Sequence, residues 1–295
     1  VVGGKADSEG LMYGLPDNRR ALGVLATTAD GKAYYELDAA MNLTPHDDPE
    51  MSQHIAEKFA IPHDVVEVDK GSVLIVDAKE RRWRLPLGDE AYNDMIAEAR
   101  LRLCREVATE RDLFSCHGTF YELPAENADG FAKIRPVASH SFAINDYASY
   151  RGMMMLTGID HSKAARNPHV VLSQDGKAAV WAGVIDDLWH MGKPTGHGGP
   201  WVESQVKAGV ASDPYLIGFY DKRTMSLSHT DAGNVVFTVE VDPTGDGEWF
   251  RYGRVRGAGR TDLRAHLPAI VPRTLDTRHG RPRHQSHRMV RIQIV

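Results

Sequence analysis

Four side chains near the middle of the chain have the chemistry to move a proton beside a bound carboxylate: His117, His140, Tyr150 and Arg151. An imidazole titrates near neutrality and can take up or return a proton. A phenol can deliver one, and a guanidinium stays cationic and can grip a carboxylate through two parallel hydrogen bonds. A second group lies in "GVIDDLWHMGKPTGHGGPW", where Asp186 and Asp187 offer paired carboxylates, Lys193 a cation and Trp201 an indole face for a sugar ring. Paired carboxylates serve glycoside hydrolysis, with their separation setting the stereochemical outcome. Adjacent residues of a regular strand point to opposite faces, so this pair also reads as structural, an Asp capping the following turn and Trp189 packing between sheets. The stretch is not a phosphate loop: Lys193 precedes the glycines, no Ser or Thr follows it directly, and Pro194 and Pro200 interrupt any helix. Cys116, His117, His140 and His161 are of zinc-ligand type, yet neither Cys-x-x-Cys nor His-Glu-x-x-His spacing occurs. No cofactor is expected, and a structural metal ion stays open. Met153-Met154-Met155 reads as strand packing.

The elements around these residues are mostly short strands. "LGVLATTADGKAYYELD" has an apolar run, an Asp-Gly turn at Asp30-Gly31 and an aromatic run, the strongest short hairpin signal. Ser173–Ala178 repeats the pattern of Thr28–Ala33, and "VVEVDKGSVLIVDAKERRWRLPLG" turns at Lys70-Gly71. Residues 215–256 give four more strands between Asp, Gly and Asn turns. Helices are few: Pro49–Ala60 is one, and "DEAYNDMIAEARLRLCREV" starts another with Asp89 and Glu90 in its first turn and Met95, Ile96 and Ala99 at helical spacing. They do not alternate with strands, which disfavours a parallel α/β sheet and favours a sandwich, barrel or propeller.

The 295 residues are 42% hydrophobic and 25% charged, an ordinary globular composition that can bury a sizeable core. No run of about 18 apolar residues exists, so no helical membrane span is expected. Two cysteines, Cys104 and Cys116, form no disulfide framework.

Three stretches, "ERDLFSCHGTFYELPAENADGFAKIRP", "SHSFAINDYASYRGMMMLTGID" and "AAVWAGVIDDLWHMGKPTGHGGPW", together resemble a group of bacterial β-propeller proteins associated with polysaccharide degradation, similar in architecture to propeller polysaccharide lyases. The resemblance spans Val107 to Arg256. It implies an all-β fold, part of a β-propeller of about four to five antiparallel four-stranded blades with a few short helices, over residues 1–259 with the start missing. Sialidases, another propeller class, carry Ser-x-Asp-x-Gly-x-x-Trp turns, and "SQDGKAAVW" misses that spacing. In a propeller, "GTFYEL" and "RGMMMLTG" read as inner strands, gathering His117, His140, Tyr150 and Arg151 at the channel mouth. The implied chemistry is β-elimination on a uronic-acid polymer. Arg151 would hold the carboxylate, His117 or His140 take the proton, and Tyr150 or the other His protonate the leaving oxygen. A non-catalytic glycan- or protein-binding propeller is the alternative, and a glycoside hydrolase using Asp186 or Asp187 the third reading. The partner in the first and third is a polysaccharide or oligosaccharide, and analogy suggests the periplasm or the cell exterior.

The ending, "RTLDTRHGRPRHQSHRMVRIQIV", differs in kind. From Arg260 onward the charge is +6, against −11 for the rest. A nucleic-acid arm would interleave basic residues with aromatics, and no Phe, Tyr or Trp follows Tyr252. No nucleic-acid partner is expected. Relatives of the resembled group end in Ala-His-Trp followed by an Ala-Trp-Phe-Val-Tyr run. Reading Arg273-Thr274-Leu275 as CGC-ACA-CTG and moving one base gives Ala-His-Trp, and permitted codons continue it to the aromatic run. Residues 260–295 are therefore expected to be an out-of-frame, poorly structured tail.

Overall fold

The computed structural model describes residues 10–14, 21–58, 66–77, 79–93, 103–104, 112–124, 129–144, 147–159, 167–257, 263–266 and 289–294. The protein is mostly β, with several small antiparallel sheets and few helices. It divides into two compact, discontinuous units where the sequence suggested one run over 1–259. The first comprises Val1–Asp64, Gly88–Leu123 and Val137–Lys193, and the second Val65–Leu87, Pro124–Pro136 and Pro194–Val295.

The first unit holds three four-stranded sheets. One is a meander of β1 (Gly10–Gly14), β2 (Leu22–Thr28), β3 (Gly31–Leu37) and β4 (Leu43–His46). Thr28 pairs with Gly31 across the turn, so the central residues are Ala29 and Asp30, and Gly31 takes the positive φ of 116° that follows them. Helix α1 (Pro49–Lys58) starts as expected. Asp48 accepts from the Met51 amide at 2.9 Å, and proline, which lacks the amide hydrogen, occupies the first helical position.

The next sheet runs β11 (Arg135–Ser139), β10 (Thr119–Leu123), β9 (Asp112–Cys116) and β8 (Leu103–Cys104); the third runs β12 (Tyr147–Tyr150), β13 (Met153–Leu156), β15 (Ala179–Gly183) and β14 (Val170–Leu172). β10 and β13, read from sequence as the innermost strands, are each second from an edge. The second expected helix opens with a 3-10 turn, Glu90–Tyr92, capped by Asp89, and Asn93 is helical; residues 94–102, with Met95, Ile96 and Ala99, lie outside the described residues, and Leu103-Cys104 is a strand.

Alternation explains the core. Leu22, Val24 and Ala26 turn one face inward against Leu37, Leu113, Phe120, Met154, Leu156 and Trp181. Each Leu-sized side chain so buried contributes about 1.5–3 kcal/mol. The two like turns meet at the rim of this unit. Leu43 bridges Ser173, Lys177 Nζ lies 2.6 Å from Asp30 Oδ2, and the Tyr35 hydroxyl donates to Asp175 Oδ2 at 3.0 Å.

The second unit is built on a seven-stranded sheet with the order β19 (Phe250–Gly257), β18 (Val235–Asp242), β21 (Met289–Ile294), β16 (Tyr215–Leu216), β7 (Arg82–Leu85), β6 (Val73–Val76) and β5 (Val66–Val68). It is thus no four-stranded blade, and β16 runs parallel to β7. A separate pair joins β17 (Thr224–Leu227) to β20 (Leu263–His266). The turn expected at Lys70-Gly71 forms, with Asp69 Oδ1 accepting from the Gly71 and Ser72 amides. Arg84 holds Asp69 and Ser72 of this turn and ties them to Asp213.

Within the tail expected to be poorly structured, Leu263–His266 and Met289–Ile294 are strands, and its other residues lie outside the described ones. "VRIQI" alternates, and its register sets Val290, Ile292 and Ile294 across from Val241, Val239 and Phe237. Period-two patterning against a buried apolar face is sufficient cause for a strand.

Candidate functional site

β9 and β10 are joined by His117-Gly118, and β12 and β13 by Arg151-Gly152. Both are two-residue turns with positive φ at both positions: 49° and 78° in the first, 50° and 81° in the second. That is the type I′ geometry whose twist matches a β-hairpin. Two of the candidate catalytic residues are therefore turn residues in left-handed backbone.

His117 is only 4% exposed. Its Nδ1 accepts from the Gly88 amide at 2.6 Å. A neutral imidazole carries one hydrogen, so Nε2 bears it and donates to Asn93 Oδ1 at 2.9 Å. Both nitrogens are engaged, and the ring clamps the hairpin turn to the residues on either side of the 3-10 turn. A Cβ on Gly88 would meet the His117 carbonyl oxygen at 2.3 Å, and one on Gly118 would strike the Tyr92 ring.

His140 lies against the same cluster. Its amide donates to the Gly118 carbonyl at 2.8 Å, and its ring neighbours are Phe120 (4.9 Å between centroids), Tyr92 (6.1 Å, edge-on) and Phe142 (6.4 Å, stacked). Nδ1 accepts from the Phe142 amide at 3.3 Å, whereas the buried Nε2 has no hydrogen-bond partner among the described residues. Burial lowers its pKa to about 4. Tyr92 closes the group by donating to the His140 and Phe142 carbonyls, and burial followed by the Asp89 charge pushes its hydroxyl up to about 12. The two imidazoles are thus brought together, flanking Tyr92 in a closed aromatic cluster.

Tyr150 and Arg151 are placed differently. Tyr150 is half-buried against the core, while Arg151 is exposed at the hairpin tip and makes no ion pair with a described residue. The zinc-type residues do not assemble. Burial pushes the Cys116 thiol far above its usual range, His161 lies outside the described residues, and no group of three His, Cys, Asp or Glu among the described residues could hold a metal ion.

Asp186 and Asp187 lie on a 3-10 helix, Ile185–His190, so the strand geometry expected of them does not apply. Asp187 Oδ2 accepts from the Val184 amide at 2.8 Å, which makes it the cap of this turn. It also lies 3.9 Å from His169, whose ring stacks on Trp181. Asp186 is exposed. With about three residues per 3-10 turn, it eclipses Trp189, which is 54% exposed and not packed between sheets. Sequence reading packed Trp189 between sheets because it continued β15 as a strand. The i, i+3 spacing of Asp186 and Trp189 was the signal available.

Lys193 is exposed. In the second unit Trp201, the expected sugar platform, packs against the cluster of Leu227, Phe237 and Ile292 and serves as an anchor. No helix among the described residues is long and apolar enough to cross a membrane. In comparison with known proteins, no family model, no curated protein and no solved structure matches this chain.

Proposed function

We propose that this protein engages a polysaccharide or oligosaccharide, and that its four-stranded sheets are blades of a propeller. The observation that carries the glycan reading is the exposed Trp189 eclipsing the exposed Asp186. An indole face packs against the C–H face of a pyranose, and a neighbouring carboxylate accepts from its hydroxyls. The three four-stranded sheets of the first unit support the propeller reading.

Binding is better supported than elimination. A uronate lyase must remove the proton beside the carboxylate, form a carbon–carbon double bond and expel the glycosidic oxygen. His117 has both nitrogens engaged, and His140 is buried with a pKa near 4, a weak base at neutral pH. The exposed Arg151 next to Tyr150 favours the lyase as the second reading, with the guanidinium receiving the carboxylate.

Affinity electrophoresis of the full chain through gels holding different polysaccharides tests the proposal. At least one glycan should retard it, and Trp189→Ala should weaken that binding about tenfold while leaving the melting temperature unchanged, as stacking of about 1–1.5 kcal/mol is lost. Equal retardation of the variant refutes this platform. Growth of ultraviolet absorbance from an unsaturated uronate, lost in Arg151→Ala, would establish the lyase instead.

A further inference from the structure

The edge strand β19 has the sequence FRYGRVRG, with three arginines and no acid. Strict alternation would place Arg254 and Arg256 on one face and Arg251 on the other. A bulge prevents this. Val239 pairs with Gly253 and Glu240 with Arg251, leaving Tyr252 as the extra residue, which packs inward against Val239 and Val241. The pairs Val236–Arg256, Thr238–Arg254 and Glu240–Arg251 then put all three arginines on the same face. All three are exposed, and none forms an ion pair with a described residue. Successive positions on that face are about 7 Å apart.

Beneath the middle arginine, Thr238 is 5% exposed, and its Oγ1 is buried with no hydrogen-bond partner among the described residues. The exposed aromatic of the strand, Phe250, pairs with Val241 on the opposite face.

We propose that this face of β18 and β19 is a binding strip for an acidic polysaccharide. The inference rests on the glycan reading above and names the class of glycan. A row of exposed guanidiniums at regular spacing, whose partners on β18 include the single acid Glu240, complements a polymer with one carboxylate per sugar, and each can bind its carboxylate through two hydrogen bonds. The strip stands out because residues 1–259 are net acidic. A single-stranded nucleic acid would also need aromatics on the same face to stack its bases, and Phe250 points away.

The probes are polygalacturonate, its methyl-esterified neutral form and single-stranded DNA, used with the full chain at low salt. The expected result is retention by polygalacturonate alone, weakened by added salt. The Arg254→Gln/Arg256→Gln variant should bind about tenfold more weakly, the scale of two exposed ion pairs. Arg254→Lys/Arg256→Lys should recover part of that loss, and Lys207→Gln/Lys222→Gln, equal in charge change, none should be lost. Wild-type binding that the arginine variant retains in full overturns the strip while leaving the glycan reading intact. Binding of no glycan by the wild type, charged or neutral, overturns the glycan reading. DNA held as tightly as polygalacturonate overturns the acidic-glycan assignment. Unchanged thermal unfolding of the arginine variant separates lost binding from lost fold.

Discussion

The His117-Gly118 and Arg151-Gly152 hairpins share a turn type, nearly identical φ angles and the same X-Gly sequence, yet they have opposite surroundings. The first is buried under Tyr92 and clamped by Gly88 and Asn93. The second has no atom within 4 Å of where a Gly152 Cβ would stand, and its Arg151 is exposed. Local backbone chemistry therefore dictates the turn, but burial decides whether its first residue becomes a fastener or a free functional group. His117 is the fastener and Arg151 is free to meet a ligand.

The sharpest way to break this comparison is to add one methyl group at each glycine. Gly118→Ala combines left-handed strain with overlap on the Tyr92 ring and should cost about 3–5 kcal/mol, while Gly152→Ala carries strain alone, about 1–2 kcal/mol. Chemical denaturation measures both, and equal losses would show that the surroundings of the turns do not matter.

Next in size is a pH effect confined to the buried side. His140 is lowered in the folded state to about 4 from 6.5. Between these values the unfolded chain binds more protons than the folded one, so stability is full above about pH 6.5 and falls as the pH drops towards 4. The loss should approach about 3 kcal/mol. His140→Phe removes the titrating ring and its unpartnered nitrogen, so its unfolding free energy should fall less over this window. Parallel pH profiles for variant and wild type would count against a buried, neutral His140.

The smallest effect belongs to the open turn. Arg151→Asn should raise stability by about 0.5 kcal/mol, because Asn adopts positive φ more readily and Arg151 makes no described ion pair. A clear loss on thermal melting would reveal a structural partner for Arg151.

The strands were largely legible, because period-two patterning and turn chemistry are local. Asp30-Gly31, Lys70-Gly71 and the four strands between 215 and 256 follow from neighbouring residues alone. The site was legible only as a set of residue types. Trp201 is packed and Trp189 exposed, the reverse of expectation, because an indole's exposure depends on distant partners: Phe237 and Ile292 cover Trp201, whereas the 3-10 turn lifts Trp189 outward. The shared face of Arg251, Arg254 and Arg256 was hidden for a different reason, since a bulge is defined by the partner strand and breaks the alternation that the sequence displays.

What this sequence determined by itself is its mostly β character and its turns, since dihedral preference and hydrophobic alternation act over a few residues. Tertiary structure alone decided which imidazoles are locked, which tryptophan meets solvent and which arginines align. Burial and hydrogen-bond partnership come from residues far away in the chain, and no local pattern encodes them.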